Sequence, residues 1–308
     1  MEQRLTNLLM LILLQGQISS VFSTPVNENS AVISSSEDSE EGLPVLAHPI
    51  KAYLPPCDDN DNVRHKKSLR KRSTGRAVNI PAEAVESVAN TPFSALSTEL
   101  PAIQKEIVDV HNKYRRQAVP GARNMLKMVW NPEATKTAGN WARQCKVGHS
   151  PQNSRVITNF KCGENVFLSN FKVPWDAVID SWYSEIEDYK YGFGALSDLE
   201  VGHFTQIMWA TSYAMGCDVS ECSSGPNKYV YVCHLCPAGN KGSRLYPWKA
   251  GKPCEDCPNS CENNLCTNAC PYQDYFVNCP DLQSTCNTDK SMVGNCPATC
   301  RCTKGEIK

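Results

Sequence analysis

Apolar positions begin to recur at helical spacing near Pro101, and the pattern predicts three helices in succession. The second begins at Asn131-Pro132-Glu133, where a capping side chain precedes a proline at the first helical position and an acid in the first turn. The third begins at Pro174, and its apolar side extends to Ile186.

The pattern changes after the third helix. Residues 213–219 and 228–233 are short, rich in β-branched and aromatic side chains and close to strict alternation, which predicts strands. Helices followed by strands predict an α+β domain.

The N-terminus predicts a secretory signal peptide at residues 1–23. Arg4 precedes an apolar run from Leu8 to Leu14, and small residues follow near Ser23. The run is shorter than the roughly 20 apolar residues of a membrane-spanning helix, so a signal anchor is the weaker alternative. We therefore expect a secreted, extracellular product.

Residues 24–100 have little periodic apolar pattern and predict a disordered leader or propeptide. An acidic stretch at residues 37–41 is followed by basic side chains between Arg64 and Arg76. Arg70-Lys71-Arg72 is either a processing site, cut after Arg72, or a solvated basic run, and the sequence leaves both open.

Seventeen cysteines, sixteen of them between Cys145 and Cys302, predict disulfides in an exported chain. The C-x2-C pairs at residues 233–236 and 254–257 also fit a zinc ribbon, which the export signal outweighs. Cys57 is left over, so it is removed by processing, free, or paired between chains; without such pairing we expect a monomer. The net charge of −1 argues against a nucleic-acid partner.

Two stretches carry a resemblance to a known family. The run Gly202-His203-Phe204-Thr205-Gln206-Ile207-Met208-Trp209 and the run from Tyr231 to Asn240 resemble the two signatures of the CAP domain. The cysteines from Cys254 to Cys302 resemble the hinge and the ShK-like region of the cysteine-rich secretory proteins.

The resemblance implies a CAP-type α-β-α sandwich at residues 101–240, a linker and cysteine-rich hinge at 241–269, and a small, mainly helical, disulfide-rich ShK-like module at 270–308. It also implies eight disulfides. These are Cys145–Cys222, Cys162–Cys236, Cys217–Cys233, Cys254–Cys261, Cys257–Cys266, Cys270–Cys302, Cys279–Cys296 and Cys286–Cys300.

The CAP cleft of similar proteins implies a site at His149, Glu164, Glu185 and His203. The two histidines would bind Zn²⁺, which the fold does not require, with the glutamates as partners of the imidazoles. A buried polar network is the alternative. Ser150 follows His149, but Gly-x-Ser-x-Gly is absent from the sequence, and we expect no enzyme activity.

Two surfaces are candidates for binding a partner. Aromatic side chains at residues 182–193 either pack in the core or line a groove for a sterol or another lipid. In the C-terminal region, Tyr272, Tyr275 and Phe276 are candidate contacts for a channel or receptor. The region from Cys254 onward is net acidic and has no lysine within ten residues of these rings, which argues against simple plugging of a channel pore.

The leading expectation is therefore a non-enzymatic binding or regulatory protein that acts on ion channels or other cell-surface membrane proteins. The second is an extracellular sterol or lipid carrier. The third is a metal-dependent hydrolase centred on His149 and His203.

Overall fold

The structure is a computed structural model that describes residues 50–54, 76–276 and 278–308. The predicted signal peptide, Cys57 and the basic run ending at Arg72 lie outside the described residues. Within these ranges, no helix has both the length and the apolar composition that a bilayer crossing requires.

The described residues form short strands and helices in alternating groups. The strands are β1 (Ile50–Leu54), β2 (Arg76–Ile80), β3 (Val129–Trp130), β4 (Val156–Ile157), β5 (Phe160–Lys161), β6 (Gly163–Ser169), β7 (Tyr189–Lys190), β8 (Gly194–Ala195), β9 (Ala214–Glu221), β10 (Tyr229–Cys236), β11 (Cys261–Glu262) and β12 (Leu265–Cys266). The α-helices are α1 (Ala82–Ala89), α2 (Pro101–Arg115), α3 (Pro132–Ala142), α4 (Trp175–Tyr183), α5 (Gly202–Ile207), α6 (Lys290–Asn295) and α7 (Pro297–Arg301). Short 3-10 helices lie at Phe93–Leu96, Gln152–Ser154, Ser184–Asp188 and Cys279–Thr285.

A mixed sheet of six strands, in the order β2-β1-β6-β10-β9-β3, is the centre of the fold. Strand β10 is antiparallel to both β6 and β9, and β3 is parallel to β9. Strands β6 and β10 are buried along their whole length because helices cover both faces.

Alternate residues of β6 and β10 face opposite helical layers. Val166 and Val232 pack with Trp141 of α3 on one face. Phe167 and Tyr231 belong to the larger core on the other face, which also contains apolar side chains of α2, α4 and α5. The α-β-α sandwich that the resemblance implies is therefore present, and the α+β prediction is confirmed.

The predicted third helix is shorter than its apolar stripe. Helix α4 ends at Tyr183 and continues as the 3-10 helix Ser184–Asp188. The tighter turn, with three residues per turn, changes which side chains face inward. Glu185 is fully buried, whereas Ile186 is exposed, so the prediction that Ile186 lies on the apolar side is wrong.

The expectation of a disordered leader up to residue 100 is wrong for residues 76–100. Strand β2 and helix α1 bury Val78, Ile80 and Val85 in the larger core. The indole of Trp175 donates to the carbonyl of Leu96 at 2.9 Å, which fixes the 3-10 helix in this segment. The apolar surface that orders the segment comes from the sandwich, so local pattern alone did not reveal it.

Residues 241–252, expected to be a connector, are also packed. Trp248 is buried, and its indole donates to the carbonyl of Pro120 at 2.9 Å. Backbone hydrogen bonds join Arg123 to Lys249 and Gly251 to Gly121. This segment is therefore part of the sandwich rather than a free linker.

The cysteine-rich hinge continues the same core. Leu265 of β12 is completely buried in the larger core. The backbone around Leu126 pairs with Cys266, and ion pairs join Lys127 to Glu262 and Arg123 to Asp256. The hinge and the sandwich thus share apolar, backbone and charged contacts.

The eight disulfides in the structure are the same pairs that the resemblance implies. The four cysteines of the alternative zinc ribbon each bond to a different partner outside that set of four. Cys254, Cys257 and Cys266 lie close together because two disulfides meet there. Bonded sulfurs are not thiolate ligands, which removes the basis of the zinc-ribbon alternative.

Leu265→Ala tests whether the hinge belongs to the sandwich core. We expect a loss of about 2–5 kcal/mol in the free energy of unfolding, the usual cost of removing a fully buried leucine. The matched control is Leu282→Ala in the C-terminal module, where the side chain is exposed and the expected loss is about 0.5 kcal/mol or less. Chemical denaturation of the full-length oxidised protein measures both, and equal small losses would contradict the shared core.

Candidate functional site

Glu164 of β6 is the centre of a buried hydrogen-bond network. Its Oε1 accepts from His149 Nδ1 at 2.7 Å and from the Ser150 amide at 2.9 Å. Its Oε2 accepts from the Ser150 hydroxyl at 2.6 Å and from His234 Nε2 at 2.9 Å. The Arg155 guanidinium lies 3.8 Å from Oε1.

The network keeps Glu164 ionised. Burial alone raises the pKa of its carboxyl, but the hydrogen bonds from His149 and His234 and the charge of Arg155 outweigh burial and hold the pKa well below its usual range. An ionised carboxylate only accepts hydrogen bonds. We therefore assign the proton of neutral His149 to Nδ1, which leaves a lone pair on Nε2.

His149 Nε2 is buried and has no hydrogen-bond partner among the described residues. A buried imidazole nitrogen with a free lone pair is a suitable metal ligand, and a carboxylate on the other ring nitrogen is its usual support. The donor set around His149 therefore fits Zn²⁺.

The second carboxylate–histidine pair has the same form. His203 of α5 and Glu185 are both completely buried, and His203 Nδ1 lies 2.7 Å from Glu185 Oε1. The other carboxylate oxygen accepts from the Phe204 amide at 3.0 Å. The side chain of Asn165, next to Glu164 in the chain, donates to the carbonyl of His203 at 3.2 Å and joins the two halves of the site.

The predicted site residues therefore form two pairs, His149 with Glu164 and His203 with Glu185. In the described ranges, one group of three or more potential metal ligands has its ligand atoms close together. It consists of the disulfide-bonded cysteines at 254, 257 and 266, not of the histidines and glutamates. The glutamates thus serve the imidazoles rather than forming a cluster of four ligands.

Ser150 is not arranged as a nucleophile. Its hydroxyl donates to Glu164, and it accepts from Arg155 Nε at 2.8 Å. A serine nucleophile needs a base that can take its proton, and a carboxylate with so low a pKa is a poor base.

Sequence reasoning missed two members of the network, Arg155 and His234. His234 lies directly opposite Glu164 in the β6–β10 ladder, so its side chain is on the same face of the sheet. It is buried, and burial lowers its pKa, which keeps the imidazole neutral. His234 stands within the second signature run, but only the strand register brings it to Glu164.

The aromatic cluster at residues 182–193 is mostly engaged in packing. Trp182 is completely buried, Tyr183 stacks on Tyr114 at 3.7 Å between ring centroids, and Tyr191 packs against Trp248. Phe193 is the exception, with 64% of its surface exposed.

The C-terminal module contains a basic–aromatic pair whose two residues are far apart in the sequence. The Arg301 guanidinium lies over the Tyr272 ring at 4.8 Å from its centroid, and Arg301 is exposed. Tyr275 and Phe276 are exposed nearby in the chain, at 74% and 55%. No lysine lies within ten residues of these rings in the sequence, but Arg301, distant in the chain, is a basic neighbour of Tyr272 in the fold.

The net negative charge of the region from Cys254 onward comes from the acidic side chains of the hinge. Glu255, Asp256 and Glu262 form ion pairs with bases of the sandwich. From residue 267 to the C-terminus the chain has four acidic and four basic side chains. The module itself is therefore neutral, which weakens the charge argument against contact with an acidic channel mouth.

Comparison with known proteins identifies the family. A family model described as CAP, the cysteine-rich secretory protein family, matches residues 108–235, and one described as Crisp matches residues 254–308. This chain belongs to the cysteine-rich secretory protein family. Its CAP domain and its C-terminal Crisp region together account for most of the described residues, and its disulfides are typical of a secreted protein.

Solved structures with similar folds are CAP and venom allergen-like proteins. NaASP2, crystallised with Zn²⁺, is 29% identical; the match covers 55% of this chain and 96% of that chain, with a TM-score of 0.46. BmVAL-1 is also 29% identical, over 56% of this chain and 96% of that chain, with a TM-score of 0.47. Venom allergen-like protein 4 of Schistosoma mansoni is 24% identical, over 50% and 97%, with a TM-score of 0.40.

Proposed function

We propose that this cysteine-rich secretory protein is a non-enzymatic binding protein that regulates an ion channel or another membrane protein at the cell surface. The observation that carries the proposal is exposed Arg301, which lies over the half-buried ring of Tyr272, together with exposed Tyr275 and Phe276 on the C-terminal module. Arginine and tyrosine are the residue types most often found to dominate binding interfaces.

Hydrogen bonds fix the backbone that carries the aromatic contact residues of the module. The Asp274 carboxylate accepts from the Thr299 amide at 2.9 Å and from its hydroxyl at 2.6 Å, which ties the aromatic segment to α7. The Tyr275 amide donates to the carbonyl of Asn295 at 3.1 Å. Side chains on a fixed backbone lose less conformational entropy on binding, which favours affinity.

The alternatives have less support. For the metal-dependent hydrolase centred on His149 and His203, the buried, doubly engaged hydroxyl of Ser150 supplies no nucleophile, so the activity would depend wholly on the metal. For a lipid carrier, most rings at residues 182–193 are committed to core packing, and Phe193 alone does not make a groove. We rank both below a surface-binding role.

The test applies the full-length oxidised protein to cells that express voltage-gated potassium channels, calcium channels or calcium-release channels, and records currents or calcium release. We expect Arg301→Gln and Tyr275→Ala each to weaken the effect about tenfold or more, the usual consequence of removing a dominant interface side chain. Both side chains are exposed, so the fold should be retained.

The control is Phe193→Ala, which removes an equally exposed aromatic ring from the CAP domain. It should leave the effect unchanged. If the effect survives both module variants, or if the control loses it, the CAP domain rather than the module is responsible for the effect. A folded wild-type protein without effect on any channel tested would count against channel regulation itself.

We propose, second, that the cleft binds Zn²⁺ through Nε2 of His149 and through His203. Bound Zn²⁺ would carry water at its remaining positions and act as a Lewis acid. The chain supplies two imidazoles, each set in orientation by a buried carboxylate. The buried Nε2 of His149, without a partner among the described residues, is the specific observation in favour.

Titration calorimetry of the full-length protein with ZnCl₂ tests this second proposal. We expect one Zn²⁺ per chain, and a rise in melting temperature on Zn²⁺ addition because the ion binds the folded state. His149→Ala should abolish both, since it removes one of the two ligands. Retention of Zn²⁺ by that variant would contradict the assignment, as would the absence of binding to the wild type.

A further inference from the structure

His234 is a further buried histidine, which lies in the central strand β10 beside Glu164. The geometry points to His234 as a positioning residue: supported by Thr137, it holds the Glu164 carboxylate so that Glu164 fixes the tautomer and ring orientation of His149. The inference rests in part on the Zn²⁺ site proposed above, because His149 Nε2 is the atom so presented.

The hydrogen bonds divide the Glu164 carboxylate between its two histidines. Oε1 faces His149, while Oε2 faces His234 at 2.9 Å. On its other side, His234 Nδ1 lies 2.7 Å from the Thr137 hydroxyl of α3. A continuous chain of contacts thus leads from helix α3 through His234 and Glu164 to His149.

The backbone on both sides of this pair is clamped. His234 faces Glu164 in the β6–β10 ladder, and Leu235 faces Gly163. The residues that follow this pair outward, Cys162 before β6 and Cys236 at the end of β10, form a disulfide. The Cα atoms of His234 and Glu164 therefore have little freedom to separate, so the side-chain contact is a fixed feature of the sheet.

The His234 contact matters because Arg155 competes with His149 for the Glu164 carboxylate. Arg155 lies 3.8 Å from Oε1, the oxygen that accepts from His149. Without His234, Oε2 keeps only the Ser150 hydroxyl, which itself accepts from Arg155, so the carboxylate can rotate toward the guanidinium and release His149 Nδ1. His149 would then no longer be restricted to the tautomer with its proton on Nδ1, and Nε2 would be available to a metal only part of the time.

Two substitutions of similar size separate this role from general packing. In His234→Gln, the amide nitrogen takes about the place of Nε2 and can still donate to Glu164. In His234→Asn, the shorter amide takes about the place of Nδ1 and reaches only toward Thr137. Nitrogen-15 NMR of the imidazoles in the metal-free full-length protein reports the His149 tautomer, and calorimetry with ZnCl₂ reports affinity.

We expect wild type and His234→Gln to keep the proton of His149 on Nδ1, and His234→Asn to give a mixture of tautomers. Zn²⁺ affinity should fall about 10–100-fold in His234→Asn, the usual effect of losing an outer hydrogen-bond partner of a metal ligand, and less than tenfold in His234→Gln. Thr137→Val, which removes only the outer support, should shift the tautomer in the same direction and serves if His234→Asn does not fold.

The outcomes are distinct for the two proposals. If the wild type binds no Zn²⁺ but the variants still differ in the His149 tautomer, the positioning role stands and the metal proposal fails. If Zn²⁺ binds and the tautomer and affinity are the same in all foldable variants, the positioning role is overturned. Equal loss in His234→Gln and His234→Asn would also overturn it, since packing rather than the donor to Glu164 would then be responsible.

Discussion

The buried guanidinium of Arg115 is the interaction on which the arrangement of the functional parts depends. Arg115 ends helix α2 with its side chain completely enclosed, and it donates to five backbone carbonyls: Leu126, Ile207, Trp209, Ala210 and Ser212. Burial lowers its pKa to about 9, so the side chain remains charged at neutral pH. A buried charge is tolerated only when its donors are satisfied, and here backbone carbonyls rather than a carboxylate satisfy them.

Those carbonyls belong to the segments that carry the candidate functions. Ile207 ends the helix that holds His203, and Ser212 precedes the central strand β9. Leu126 pairs with Cys266 of the hinge, and Ile307 at the end of the C-terminal module packs in the same small cluster. One side chain therefore links helix α5, the start of β9 and the segment that contacts the hinge, so we expect the module to move with the sandwich as one rigid body.

Much of this could be predicted, and the limits have physical reasons. Helix α3 follows from its capping residue and proline, which are local signals. The four site residues, His149, Glu164, Glu185 and His203, follow from the family resemblance, whereas their division into two pairs comes from the structure. His234 required the register of β10 against β6, which one sequence does not specify, and Arg301 reaches Tyr272 only after three disulfides fold the module. Residues 76–100 and 241–252 are ordered by apolar surfaces that distant segments supply, so local polarity misrepresented them as leader and connector.

Hydrogen exchange by mass spectrometry, on the full-length protein and on Arg115→Met, tests the claim of a single rigid body most directly. The methionine keeps much of the side-chain volume but leaves the carbonyls without their donor, so the account predicts faster exchange in three places together: helix α5, the start of β9 and the hinge around Cys266. Exchange in the β6–β10 ladder should change little. Faster exchange confined to the end of α2, with the hinge and α5 as protected as in the wild type, would contradict the account.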